Sequence, residues 1–286
     1  MSIIDDYLYT HSWANETRDK YGRIIRAFLA EIKEPENVKP VEIIRWFDTK
    51  PWGDSYRYVA LCAIRAFVRW KWGDDHPVLA LKIKRGESGP QRVLNQAKLE
   101  KLLEYFDTST PKGRRDLSIC TLFVDTGLRV TEVARLNLKH LDLQERHVDA
   151  LTKGGIWERK TLSHYTVACL ITWLGDRSQM ARPGVPNIYV GIAKFTRGKP
   201  MTRSGIQHEV GRWGQLSGIG ELSPHDLRRT MATLATRKGA PQSVVMAQGG
   251  WKSEKVFQKY VRQISPEDFD PYSPVMAAMQ IPVEKP

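Results

Sequence analysis

The 286-residue sequence predicts a mainly α fold with a small β-sheet, divided into a helical N-terminal domain and a larger α+β domain. Three observations predict it. Apolar residues recur at three- and four-residue spacing through most of the chain, as they do on helices with one buried face. Residues 147–162 break that pattern with two short strand-like runs joined by Lys153-Gly154-Gly155, which reads as a β-hairpin. Residues 82–94 contain Lys82, Lys84, Arg85, Gly86, Ser88, Gly89 and Pro90 with few apolar side chains, which reads as an extended basic linker.

In the N-terminal domain, residues 1–81, Tyr21, Ile24, Ile25, Phe28 and Leu29 form the apolar stripe of a helix over 15–32. Pro40 suits a first helical position, because its missing N–H is not needed there, and it opens a short helix through Val41, Ile44 and Phe47. A third helix runs from Asp54 to Trp72. Val59, Ala63, Phe67 and Trp70 share one face of it, while Arg57, Arg65 and Arg69 share the other.

The larger domain, residues 95–262, begins at Asn95, which caps a helix carrying Leu99, Leu102, Leu103 and Phe106. A helix over 115–125 ends at Gly127, a residue suited to the left-handed C-cap. Arg129 then falls in the turn before another helix, with Thr131 as the cap and Glu132 within reach of the guanidinium. Strands over 147–151 and 156–162 follow, and Lys153 stands at the hairpin tip. Helices over 164–175 and 203–217 come next, the second beginning at Arg203, with a short strand at 188–190 between them.

Ser223-Pro224-His225-Asp226 has the order of a helix start: an N-cap, a proline at the first position and a carboxylate that completes a capping box. His225 and Arg228, three residues apart, leave one face of that helix near its positive end. A donor-rich helix N-terminus is a natural seat for a phosphate. A last short helix from Ser253 delivers Tyr260, which beside a bound phosphate would be a nucleophile. Each feature has a plainer reading: a chance His-x-x-Arg, a surface Arg129 paired with its neighbour, a soluble turn lysine, a packing tyrosine. Their combination carries the weight.

Charge is unevenly spread. Residues 91–260 hold 27 Lys/Arg against 15 Asp/Glu, whereas residues 1–90 are nearly balanced and residues 261–286 are net acidic. Such a field favours a polyanion, most plausibly nucleic acid. Cys62, Cys120 and Cys169 lie far apart in apolar helical surroundings, which predicts reduced core thiols rather than a disulfide frame or a zinc site. The N-terminus has no basic start followed by an apolar run, so no signal peptide is predicted. The longest apolar stretch, Tyr165 to Leu174, is too short to span a bilayer, and a cytoplasmic protein without a membrane partner is expected.

Thr126-Gly127-Leu128-Arg129-Val130-Thr131-Glu132, the Lys153-Gly154-Gly155 hairpin, His225-x-x-Arg228, Gly250-Trp251 and Tyr260, in this order and spacing, resemble the tyrosine recombinase (phage integrase) family. The resemblance extends over about residues 5–270. It implies a core-binding N-terminal domain and a catalytic domain that cuts DNA by attack of tyrosine on the scissile phosphate. The products are a 3′-phosphotyrosyl bond and a free 5′-hydroxyl. By the same resemblance Tyr260 is the nucleophile, Arg129 and Arg228 clamp the non-bridging oxygens, and Lys153 protonates the leaving oxygen. His225 moves the phenolic proton, Trp251 donates to phosphate, and Glu132 braces Arg129. No metal and no cofactor are implied, because arginines and lysine supply the positive charge and the covalent link conserves the bond energy. Two residues depart from the commonest pattern: Trp251 and Arg229 each stand where a histidine is more usual.

Arg65, Arg69, Lys84, Arg85 and Arg203 are assigned to DNA contact, against the competing reading of a solvated basic surface. The implied partner is a double-stranded core site, bound by a homotetramer on two DNA sites that is a monomer or weak dimer off DNA and nucleoid-associated on it, with accessory proteins left open. Integration of a mobile element and resolution of DNA multimers both fit, and a minimal chain without an arm-binding domain is expected. A type IB topoisomerase is the nearest alternative, disfavoured by the helical N-terminal domain and the short chain. A non-catalytic DNA-binding protein on the same fold is disfavoured by the complete residue set. The tail, residues 263–286, carries Val275, Met276, Met279 and Ile281 after Pro271 and Pro274, an apolar cluster suited to docking on a neighbouring protomer.

Overall fold

Among the described residues three hydrophobic cores form, one within residues 1–90 and two from residue 91 onward, the smaller of these around Met231, Val245, Trp251 and Phe257. The computed structural model describes residues 2–86, 92–152, 154–261 and 273, with the side chains of Lys259 and Tyr260 outside the description.

The first unit is helical: α1 (Ile3–Tyr9), α2 (Asn15–Glu31), α3 (Pro40–Asp48) and α4 (Asp54–Trp72), followed by a 3-10 turn at Pro77–Ala80. Helix α1 was not anticipated, because seven residues are too few to show a period; its sequence signal is the reciprocal capping of Ser2 and Asp5. Helix α3 buries Phe47 as expected, but with Ile43 and Trp46 in place of Val41 and Ile44, and Val41 is left 51% exposed. Trp46 decides the rotation. Its ring packs on Phe28 and Trp52 while its Nε1 donates to Glu31 Oε2 at 3.0 Å. Helix α4 packs on both α2 and the 3-10 turn, so Leu61, Ile64 and Val68 are buried together with Ala63 and Phe67. Trp70, expected inside, is 39% exposed.

The second unit contains α5 (Gln96–Glu104), α6 (Pro111–Thr126), α7 (Val130–Arg135), β1 (Leu141–Asp142), β2 (His147–Thr152), β3 (Ile156–Thr161), α8 (His164–Met180), α9 (Arg203–Leu216), α10 (Pro224–Arg237), α11 (Gln242–Gly249) and α12 (Glu254–Val261). The strands form an antiparallel sheet in the order β1-β2-β3, with Val148 opposite Lys160, Ala150 opposite Glu158 and Thr152 opposite Ile156. Helix α6 lies between α8 and α10 and is buried along nearly its whole length. A helix in that position must satisfy its own polar groups. Asp116, 2% exposed, is an ion-pair partner of Arg115 and Lys112 and accepts from Trp213 Nε1 at 3.1 Å.

Residues 188–190 are extended but form no strand; Val190 makes a single bridge to Pro200, and the Ile188 N–H donates to Leu136 O at 2.9 Å. Helix α8 runs past the expected end because buried Arg177 ties it to the following loop, donating to Asn187 O and Val185 O, each at 2.7 Å. Of the expected linker, residues 82–86 and 92–94 are described and hold no helix or strand, and residues 87–91 lie outside the description. Leu94 is not linker-like: it is fully buried in the second core and its N–H donates to Thr230 Oγ1 at 3.0 Å. The three cysteines are free thiols, and burial raises the pKa of Cys120 and Cys169. Among the described residues no helix is long and apolar enough to cross a membrane. The tail segment of interest, residues 274–286, lies outside the description.

Leu170 on α8 is fully buried in the second core. Leu170→Ala should lower the unfolding free energy by about 2–5 kcal/mol, the combined cost of lost burial and the cavity left behind. Chemical denaturation of the variant against the parent measures it.

Candidate active site

The site grows from three chain turns. The first closes α6. Gly127 takes φ 60°, and the chain passes through Leu128 and Arg129 into α7. Glu132, 5% exposed, accepts from the Arg129 backbone N–H at 2.7 Å and from its Nη1 at 2.8 Å, while the Arg129 side chain remains 42% exposed. The carboxylate therefore caps α7 and braces the arginine from beneath. Thr131, the expected cap, lies within the helix instead, because the Arg129–Glu132 pair already satisfies the first turn.

The second turn starts α10, and here the capping box is present: Ser223 Oγ accepts from the Asp226 N–H at 3.3 Å and Asp226 Oδ2 accepts from the Ser223 N–H at 2.9 Å. Arg228 emerges one turn later and is 2% exposed. Its Nη1 donates to the carbonyl of Gly127, and its guanidinium lies over the Trp251 ring at 4.1 Å. That bond joins α10 to the α6–α7 turn, two residues from Arg129. His225 feels the resulting charge: burial first, then Arg229 and Arg228, hold its pKa below the ordinary 6.5, with Asp226 opposing. Arg229 is itself paired with Asp226 at 3.0 Å.

The third turn joins α11 to α12. Gly250 closes α11 in the left-handed region, and Trp251, 7% exposed, stacks edge-on against Phe257 of α12 at 5.4 Å. Gly249 makes this possible: a Cβ there would stand 1.7 Å from the indole Cζ3. Trp251 thus contacts Arg228 on one side and the helix carrying residue 260 on the other. Residue 260 lies on the α12 backbone, but its side chain is outside the described residues, and so is Lys153; the flanking Thr152 and Gly154 are described.

Arg129, Glu132, His225, Arg228 and Trp251 are therefore gathered around three adjoining turns. The proposed DNA contacts are placed differently. Arg65 donates to Leu79 O at 2.8 Å and Arg69 pairs with Asp74 at 2.6 Å, both within the first unit. Lys84 and Arg85 are exposed on the coil after the 3-10 turn, and Arg203 is exposed at the first position of α9.

Three contributors escape sequence reading. Gln248 donates to Asp125 O and Thr161 O, at 2.9 and 2.7 Å, sewing α11 to α6 and β3. Buried Lys160 and partly buried Glu158 form an ion pair on β3, with Nζ 2.7 Å from Oε2. Opposite charges two apart on a strand share one face, which was the available signal for that pair.

The sequence pattern of the phage integrase family matches residues 92–265. The chain belongs to the phage integrase family. Tyrosine recombinase XerD of Listeria monocytogenes is 27% identical to this integrase-family chain over 257 residues, spanning 83% of the chain and 86% of the relative. The Tn1549 transposon integrase, solved in complex with transposon right end DNA, superposes with a TM-score of 0.71 at 15% identity, covering 98% of this chain and 99% of that one. A lambda integrase tetramer bound to a Holliday junction superposes with a TM-score of 0.68 at 15% identity, covering 90% and 76%. The last two likenesses are of fold.

Two outcomes are expected of this integrase-family site. Because the folded state holds the His225 pKa below 6.5, the unfolded chain binds more protons between the two values, so stability falls as pH drops through that window. His225→Gln lacks this loss. Its melting temperature relative to the parent should rise between about pH 8 and pH 5, and a constant gap would show that His225 is not depressed. Gly249→Ala must displace the Trp251 ring and should cost roughly 1–3 kcal/mol of stability together with most cleavage activity; thermal melting and strand-cleavage rate check the two effects.

Proposed function

We propose that this chain is a site-specific DNA recombinase that cleaves and rejoins DNA through a 3′-phosphotyrosyl intermediate, with no metal ion and no cofactor taking part. The observation that carries the reading is the fixed placement of Arg228. It is buried, aimed by the Gly127 carbonyl and the Trp251 ring, and held in the first turns of α10 against the turn that presents Arg129. Two planar cationic forks at a helix N-terminus match the non-bridging oxygens of a phosphodiester better than any neutral ligand.

In this reading the phenolic oxygen of Tyr260 attacks phosphorus, the bond from phosphorus to the 5′ oxygen breaks, and its electron pair stays on that oxygen. Lys153 supplies the proton that makes the 5′-hydroxyl. His225, neutral at neutral pH because of its depressed pKa, takes the proton from the phenol. Arg129, braced by Glu132, and Arg228 meet the charge that develops on the phosphorane. Each such donor is ordinarily worth about 2.7–4 kcal/mol of transition-state stabilisation. Rejoining runs the same steps backward, with a 5′-hydroxyl attacking the phosphotyrosine. Trp251 has no transferable proton at neutral pH, so its part is to support Arg228 and to donate from its indole N–H.

Residues 1–81 serve as the core-binding domain, with Arg65, Arg69, Lys84, Arg85 and Arg203 on the DNA side, and four copies act on two duplexes. The chain works in the cytoplasm, on the nucleoid. Support comes from the family membership, from a relative named as a recombinase and from similarly folded integrases solved on DNA and, in one case, as a tetramer on a Holliday junction. The tail, residues 263–286, docks on a neighbouring copy. An apolar groove of about 350 Å³, lined by Leu99, Val124, Met231, Leu234, Val244 and Val245, offers Val275, Met276, Met279 and Ile281 a receptor of matching chemistry.

Tyr260→Phe tests the chemistry. It removes one oxygen and leaves the backbone contacts that dominate DNA affinity. Covalent, detergent-resistant protein–DNA adducts should vanish while DNA binding stays within about twofold. An adduct that persists in the variant places the nucleophile elsewhere.

A further inference from the structure

Strand β3 carries a charged pair on its inward face. Lys160 is 1% exposed, with Nζ 2.7 Å from Glu158 Oε2 and 3.1 Å from the carbonyl of Ala247 near the end of α11. The carboxylate reaches both ways. Glu158 Oε1 lies 3.3 Å from the hydroxyl of Thr152, which also donates to Ile156 O at 2.9 Å, and Oε2 lies so close to Gly250 that a Cβ there would stand 2.4 Å away. Burial works to raise the Glu158 pKa, but Lys160, Thr152 and Lys252 together hold it below the ordinary glutamate value, so the carboxylate stays ionised.

We propose that Glu158 and Lys160 are positioning residues: they lock the Thr152 end of the hairpin to the Ala247–Trp251 turn. The lock holds Thr152, the residue before Lys153 in the chain, against the turn that carries Trp251. The proposal deepens the reading in which Lys153 is the general acid, and rests on it. The physical reason is directional. A buried ammonium must keep its partners, so the strand and the turn cannot slide apart without stranding a charge. An apolar side chain at position 160 would fill the same space and could leave stability unchanged, as replacement of buried ion pairs often does. It would not fix the register of hairpin against turn. A proton donor misplaced by about an ångström can lose up to a hundredfold in rate.

The test is single-turnover cleavage of two substrates, one with an ordinary scissile phosphodiester and one with sulfur in the 5′-bridging position. A thiolate leaves without protonation, so the second substrate does not need the general acid. Lys160→Met should slow cleavage of the ordinary substrate by about tenfold or more, and of the sulfur substrate by less than about threefold, with DNA binding unchanged. Thr152→Val, which removes only the hydroxyl tie, should show the same selectivity at smaller amplitude, and serves if Lys160→Met does not fold. Equal slowing on both substrates, or none on either, overturns the clamp. Lys153→Ala is run alongside: if that variant too shows no relief with sulfur, the general-acid reading itself has failed, whereas relief for Lys153→Ala without relief for Lys160→Met sinks the clamp alone.

Discussion

The buried guanidinium of Arg228 is the interaction on which the site depends. Placing an arginine at 2% exposure carries a large desolvation cost unless its N–H groups and its face are met. Here the Gly127 carbonyl at the C-terminal, electronegative end of α6 meets one N–H, and the Trp251 ring covers a face at 4.1 Å. Both partners are neutral, and they aim the group. Because one partner ends α6 and the other begins the approach to α12, a single side chain ties together the turn that presents Arg129 and the helix that carries residue 260. The core beneath follows from this, with α6 packed between α8 and α10 and α12 packed on α10.

Tryptophan in place of the commoner histidine is explained by its neighbours. An indole is larger than an imidazole, and the room for it comes from Gly249, where any side chain would overlap the ring, and from Phe257, which meets it edge-on. The exchange gives up a titratable group and gains a broad platform for a cation. His225, by contrast, is held below its ordinary pKa by burial and by the charges of Arg229 and Arg228. Arg229, the other departure from the pattern, acts through this field while it is held by Asp226. The two unusual residues are parts of one electrostatic arrangement.

The same economy appears in the polar interior of the catalytic unit. Asp116 inside α6, Arg177 on α8 and Lys160 on β3 are almost wholly buried; Asp116 and Lys160 bond to helices distant in sequence, and Arg177 bonds to the loop that follows its own helix. Such groups fix angles and registers that apolar packing leaves loose.

Local chemistry in the sequence determined the caps and turns that position the candidate site residues. The capping box at Ser223 and Asp226, the left-handed stop at Gly127 and the glycine-bearing hairpin after Thr152 are each set within a few residues of chain. Short-range rules suffice there, since a cap or turn is satisfied by its own neighbours. Tertiary structure decided what local rules leave degenerate. The inward face of α3 was set by Trp46 finding Phe28 and Trp52, the segment at 188–190 was held by one isolated bridge to Pro200 instead of a ladder, and Leu94 left the linker for the core. It also decided that Lys160 would be buried and Arg129 open. Burial is a property of what packs against a residue from elsewhere in the chain, and no window of sequence around position 160 contains Ala247.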